Sequence, residues 1–245
     1  MTAHFAIPAT TFVLRAVLQQ RVDLAYGSFP APLVSVEPPP RPPATVANGA
    51  AAPQSEAAGL YLFMHHAGPN PAWRNMFEPH VGSDGLRHGP SPLALDLHYL
   101  LAATGSDLER EALLGLGVTA LTRHGIVPRA LIRSILTAIS VPTPPVKFLD
   151  SLPNEPLGDP AHQPEQITVS QASVDVDLST KIWSALQSPM RPCAHFLVTT
   201  VFLDVDETLP AGKPVDVLHV GVRPDPTRDT TLPEDTVTVV ESPHG

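Results

Sequence analysis

The placement of proline restricts the folds open to this chain more than any other feature. The 245 residues include 30 prolines, roughly twice the usual share. Eight lie between Pro30 and Pro53, and seven lie between Pro142 and Pro164. Because proline lacks an amide donor and has a fixed φ, neither stretch can form a helix interior or a central strand. We interpret the insert 37–58 and the segment 140–165 as linkers or long loops.

The segments outside these stretches alternate between strand and helix patterns. A first helix is predicted from a cap at Thr10 or Thr11 to about Arg21, because its apolar residues recur at helical spacing. Further helices are predicted at 106–124, 129–139 and 177–187, and strands at 33–36, 59–65, 93–101, 166–172, 194–203 and 215–222. This order predicts an α/β (or α+β) fold with a single central mixed sheet flanked by helices. We expect one domain, 1–205, followed by an acidic, Pro-containing extension, 206–245.

Two of these segments contain residue patterns that predict details of their local structure. In the strand 93–101 the residues alternate between two faces, with Leu93, Leu95, Leu97 and Tyr99 on one face and Ala94, Asp96 and His98 on the other. In the helix that follows, Ser106 and Glu109 have the spacing of a capping box. Gly115 and Gly117 inside that helix indicate close backbone packing or a kink.

Charge and cysteine content exclude several classes of function. The net charge is −9, and residues 204–245 hold nine acids and three bases, so the extension is acidic and the body nearly neutral. No basic face is available for a phosphate backbone, so we predict no nucleic-acid partner. Cys193 is the only cysteine, which indicates a reducing compartment. The N-terminus shows no secretory leader and no apolar run approaches ~20 residues, so we expect a soluble protein without a membrane span.

Histidine is abundant, with eleven residues, but its spacing does not indicate a metal site. His65 and His66 are adjacent in a predicted strand, so we expect their side chains on opposite faces. There is no H-E-x-x-H motif and no glycine loop for a phosphate. We predict no metal and no cofactor.

Asp96 and His98 could form an acid/base pair, because they share one strand face. No nucleophile motif accompanies them, so a polar pair at a sheet surface or interface is favoured. Cys193 follows Arg191 and Pro192 at the start of an apolar strand, which favours a buried, inert thiol.

Trp73 lies in a segment, 68–75, that is too polar and proline-broken to be core by itself. Tryptophan beside an arginine, here Arg74, is a composition favoured at buried protein–protein contacts. The residues alone leave an interface and local packing equally open.

The block from Asn70 to Leu121 supports a more specific interpretation. An apolar strand is followed by Asn70-Pro71-x-Trp73-Arg74-Asn75, a polar loop, the strand 92–101, Glu111-Ala112-Leu113-Leu114-Gly115 and a downstream Leu121. This order resembles the tube-capping, or tail-terminator, family of phage-tail-like contractile injection systems. The opening helix and the segment 182–192 with the final long strand fit the same family.

The resemblance implies a structural protein and not an enzyme. Members form a ring, typically a hexamer, on the distal end of the inner tube and sheath, where they end polymerisation. It implies assembly in the cytoplasm as part of the particle, with tube and sheath proteins as partners. A cyclic ring needs two different patches on each subunit, and we expect the loop 70–87 and the helix 106–124 to supply them, with edge-strand addition as a docking mode. The candidate interface residues are Asn70, Trp73, Arg74, Asn75, Arg87, Asp96, His98 and Glu111.

Two alternatives stay open at the level of the sequence. One is a small α/β enzyme that uses Asp96, His98 and nearby histidines. The other is an adaptor module whose acidic, Pro-containing extension recruits a partner.

Overall fold

The computed structural model describes residues 5–41, 56–73, 93–142 and 144–203. All of them belong to one of two compact units of the chain, residues 1–211. The strands are β1 (Val34–Ser35), β2 (Gly59–Pro69), β3 (Leu93–Thr104), β4 (Thr168–Ala172) and β5 (Cys193–Leu203). The helices are α1 (Ala6–Tyr26), α2 (Glu109–Arg123), α3 (Arg129–Thr137), the 3-10 helix Phe148–Asn154, and α4 (Val176–Leu186). The predicted strand 215–222 lies outside the described residues.

The five strands form one sheet in the order β1-β2-β3-β5-β4. β1 pairs parallel to β2, and the other neighbours pair antiparallel, so the sheet is mixed as predicted. β5 lies between β3 and β4, which explains why the sequence 194–203 is apolar on both faces.

The two faces of the sheet are covered differently. We call the first the main-core face, where α1, α2 and α3 pack on a large buried cluster that includes Leu97, Tyr99 and Val201. On the opposite face, which we call the second face, α4 places Trp183 against Leu100 and Ala102. The predicted alternation in β3 is confirmed, since Leu95, Leu97 and Tyr99 join the main core and the residues between them point to the second face.

Helix α1 begins earlier and ends later than predicted, and the prediction of a threonine cap was wrong. Thr10 and Thr11 lie inside the helix, and their hydroxyls donate to the carbonyls of Ala6 and Ile7 one turn back. The amide of Phe5 donates instead to the Glu155 carboxylate, 150 residues away, at 3.0 Å. A cap supplied from so far along the chain leaves no local pattern.

Helix α2 contains the two glycines, and only one of them is tightly packed. A Cβ at Gly117 would lie 2.9 Å from Leu101 Cδ2 and 3.2 Å from Leu60 Cδ2, whereas one at Gly115 would meet nothing within 4 Å. Gly117 is therefore where α2 approaches β2 and β3 closely. The capping box was wrong, because α2 begins at Glu109 without a side-chain cap.

The outer edge of β1 is closed by side chains of α1. Gln19 accepts from the amide of Val34 at 2.8 Å, and Arg15 Nε donates to the carbonyl of Val34 at 2.9 Å. These side chains satisfy backbone groups that an edge strand would otherwise leave open to pairing.

Where they are described, the two proline-rich stretches are anchored. Arg191 Nη2 donates to the carbonyl of Pro40 at 2.9 Å, and its Nε donates to the Glu56 carboxylate at 2.9 and 3.1 Å, so both ends of the first stretch are tied to the turn before β5. In the second stretch, the buried Gln163 amide makes two hydrogen bonds to the backbone of Phe202. The second stretch also contains the 3-10 helix Phe148–Asn154, so it is not wholly a loop. Both stretches are held to the rest of the fold by these hydrogen bonds.

Candidate assembly surface

Asn70 organises the turn that leaves β2. Its amide Nδ2 donates to Asp96 Oδ1 at 2.7 Å and to Thr200 Oγ1 at 3.2 Å. Its Oδ1 accepts from the amides of Ala72 and Trp73 at 2.9 and 3.1 Å, the geometry by which an asparagine side chain holds its own following backbone. One buried side chain thus ties the turn to β3 and β5.

Trp73 lies where that turn meets the sheet. Its ring packs edge-to-face on Phe202, with centroids 4.9 Å apart, and it is half-buried. Phe202 faces the second face, because its neighbours Val201 and Leu203 both contribute to the main core. Trp73 therefore has a local partner and still presents surface.

Only some of the remaining predicted interface residues lie in the described part of the chain. Arg74, Asn75 and Arg87 lie outside the described residues. Glu111 is on the exposed side of α2 beside Arg110, at 3.0 Å, and this partner lowers the pKa of its carboxyl.

Asp96 and His98 share the second face, as predicted, but they have different partners. Asp96 accepts from Asn70, and the His98 ring lies beside the rings of His65 and His66, with centroids 6.1 and 5.2 Å apart. Burial, and then the neighbouring His66, lower the pKa of His98 more than Asp96 raises it. The arrangement places Asp96 in a structural network and His98 among other imidazoles.

A cluster of four histidines on the second face was missed by the sequence reasoning. The prediction that His65 and His66 point to opposite faces was wrong, because a β-bulge between Met64 and His66 breaks the alternation. His65 also contacts His195 of β5, with centroids 5.9 Å apart and rings perpendicular. Burial and three neighbouring imidazoles lower the pKa of His65 to about 4. A bulge inside an apolar strand has no clear sequence signal here.

Within the described ranges no group of three or more His, Cys, Asp or Glu side chains is arranged to hold a metal ion. Among the helices of the same ranges, none has the length and apolar content needed to cross a membrane.

The comparison that decides the family covers most of the chain. Residues 9–216 match the model of the Pvc16 N-terminal domain. The chain belongs to the Pvc16 N-terminal domain family. This confirms the tube-capping family to which the block from Asn70 to Leu121 pointed.

Two solved structures are similar to this Pvc16 N-terminal domain. The PVC sheath/tube terminator of an extracellular contractile injection system, in its extended state, has a TM-score of 0.52 at 12% identity, with 91% of this chain and 65% of that chain covered. The chain thus spans about two thirds of that relative's length. The anti-feeding prophage cap, a tube terminating cap, has a TM-score of 0.42 at 13% identity, with 67% of this chain and 50% of that chain covered. No curated protein matches the sequence.

Proposed function

We propose that this chain is a structural cap that ends the inner tube and sheath of a contractile injection particle. The observation that carries the proposal is the match of residues 9–216 to the Pvc16 N-terminal domain. The likeness in fold to a sheath/tube terminator supports it. The cap acts by occupying the end of the growing tube and sheath, a task that needs complementary surfaces and no catalytic groups.

The cap assembles as a ring, which we infer to be a hexamer. Subunits of a cyclic ring meet through two different patches, so each subunit carries both halves of the contact. Two candidate places for these patches lie on opposite faces of the sheet, which supports this inference. α2 packs on the main-core face, with Gly117 against Leu60 and Leu101, whereas Trp73 packs on Phe202 at the second face. The first patch is the solvent side of α2 with Glu111, and the second is the segment 70–87, which includes Trp73, Arg74, Asn75 and Arg87.

The second patch has a rigid base, which favours a contact role. Asn70 fixes the backbone of Ala72 and Trp73 before any partner binds. An aromatic side chain held in place in this way loses little conformational entropy on binding. Large aromatic residues with this setting are frequent among the residues that dominate binding energy.

The partners of the ring are the tube and sheath subunits, and assembly takes place in the cytoplasm. Strand addition is one docking mode for them, and the described edges differ in their availability. β1 is closed by Arg15 and Gln19. The segment 125–127 makes two backbone hydrogen bonds at the start of β4, from the Val127 amide to the Ile167 carbonyl and from the Val169 amide to the Gly125 carbonyl. Among the described residues no backbone hydrogen bond covers the outer edge of β4 beyond this point, so we propose that β4 is the accepting edge.

Locating the chain on isolated particles tests this proposal. A full-length chain with a C-terminal affinity tag would be expressed in place of the native one, and particles would be labelled with gold and imaged. The proposal predicts label at one end of each particle. Label along the whole length, or particles without the chain, would contradict it.

A further inference from the structure

The histidine cluster consists of His65, His66, His98 and His195, and it joins the three central strands. The centroid distances within it are 5.2 Å for His66 to His98, 5.9 Å for His65 to His195 and 6.1 Å for His65 to His98. Rings at these separations pack well while they are neutral. If two of them are protonated, two positive charges lie within about 6 Å in a partly dry environment, where screening by salt is weak.

His195 is the most enclosed member of the cluster. It is 8% exposed, its Nδ1 is buried without a hydrogen-bond partner, and its Nε2 lies 3.4 Å from the Ser179 hydroxyl of α4. A protonated imidazole carries two N–H donors, so protonation would leave a buried charge with one donor unsatisfied. Such a group costs free energy unless it is paired.

Few groups around the cluster can balance the positive charge of a protonated histidine. Among the described residues, Asp96 on β3 is the carboxylate that acts on it, and it raises the pKa of His98. From α4 the contact is a hydroxyl, while Asp177 and Lys181 pair with each other on the exposed side of the helix. β4 carries no titratable side chain. Asp96 can therefore balance the positive charge of one protonated histidine, but not that of a second.

We propose that the histidine cluster is an acid-sensitive switch that holds the second face of the sheet closed at neutral pH and loosens it on acidification. Two or more protonated rings repel one another across β2, β3 and β5. The α4 contact over His195 and the neighbouring Asn70–Asp96 network are the parts that this repulsion disturbs. The switch is a property of the fold and does not depend on the cap function.

The direction of the pH effect follows from the proton balance. Burial is the largest cause that lowers the pKa of His65, His98 and His195, so the unfolded chain binds these protons more tightly than the folded one. Their contribution to stability is complete above the unfolded value of about 6.5. It is lost as the pH falls below about 6.5, and for His65 the loss extends down to a pKa of about 4.

Thermal unfolding of the full-length chain at pH 7.5 and pH 5.0 tests the proposal. His98→Gln removes the ring that contacts two others, and His124→Gln, at the end of α2, is the matched control outside the cluster. The wild type and His124→Gln should lose the same amount of Tm on acidification. The loss of Tm for His98→Gln should be smaller than the wild-type loss by about 3 °C or more, since ~1 kcal/mol moves Tm by this amount in a chain of this size.

Equal losses in wild type and His98→Gln would overturn the proposal. If His98→Gln does not fold, His66→Gln takes its place, because His66 is exposed and its ring is the nearest to His98. An NMR titration of the wild-type imidazoles provides an independent readout. A ring of His65 that titrates near 4 supports the switch, and one that titrates near 6.5 contradicts it.

Discussion

At the scale of single residues, Asn70 determines the geometry of the segment that follows β2. It is 8% exposed and makes four side-chain hydrogen bonds, two to Asp96 and Thr200 and two from the amides of Ala72 and Trp73. Asn70→Ala should lower the free energy of unfolding by about 2–3 kcal/mol, because partners are left unpaired in a buried setting. Urea unfolding measures this, with the exposed Asn154→Ala as control. A loss as small as the control's would mean that the network contributes no stability.

Glu155 is a second residue with a measurable signature. Its carboxylate accepts from the Phe5 amide at the start of α1, while its other oxygen is buried without a partner. Burial raises the pKa of Glu155 to about 7, and the Phe5 hydrogen bond lowers it by less. The folded chain therefore holds this proton more tightly than the unfolded one, and the stabilising contribution is lost as the pH rises from about 4.5 to 7.

The corresponding variant is Glu155→Gln, which keeps an acceptor for Phe5 but cannot ionise. Its stability relative to wild type should increase between pH 4.5 and pH 7. Urea midpoints at pH 4.5, 5.5 and 7 measure the difference. Parallel curves for the two proteins would show that Glu155 ionises normally in the folded state.

At the scale of elements, the two glycines of α2 form a matched pair. Gly117→Ala gains helix propensity but forces a methyl group against the buried side chains of Leu60 and Leu101, so we expect a net loss of about 1 kcal/mol. Gly115→Ala meets open space and should gain up to ~1 kcal/mol. Denaturant unfolding of both variants checks the signs. Two stabilising substitutions would contradict the close approach of α2 to the sheet.

The elements also show what the sequence could predict. The positions of strands and helices were predicted from periodicity. The interior place of β5 was predicted because its residues are apolar on both faces of the strand. The start of α3 at Arg129 was predicted, but the starts of α1 and α2 were not. The cap of α1 comes from Glu155, and the turn before α2 places Asp107 at a positive φ of 52° in place of a Ser106 cap. The histidine cluster was missed because one bulge in β2 reverses the side-chain alternation. Such features depend on contacts far apart in the chain.

Of the candidate contact residues, Asn70 and Trp73 lie in a segment that the sequence marks as unusual. It did not indicate that Asn70 bonds Asp96 or that Trp73 packs on Phe202, because these pairs are 26 and 129 residues apart in the chain. Their roles at an interface stay a prediction.

At the scale of the whole molecule, a substitution of Trp73 can distinguish an effect on folding from an effect on assembly. Trp73→Ala removes one edge-to-face contact with Phe202, and we expect the chain to keep its helix and strand content. If Trp73 lies in the ring contact, assembly should weaken by about 2 kcal/mol or more. Circular dichroism reports the fold, and the fraction of particles that carry the chain reports assembly. An unfolded variant would show that Trp73 is structural, and unimpaired assembly would remove it from the interface.

If this chain ends the tube and sheath, as we propose, its loss should change the length of the particles. Particles would be isolated from a strain that lacks the chain and from the same strain after the full-length chain is restored, and their lengths measured by electron microscopy. We expect abnormally long tubes or sheaths without the chain, and normal lengths once it is restored. A normal length distribution in its absence would show that the chain does not end the tube and sheath.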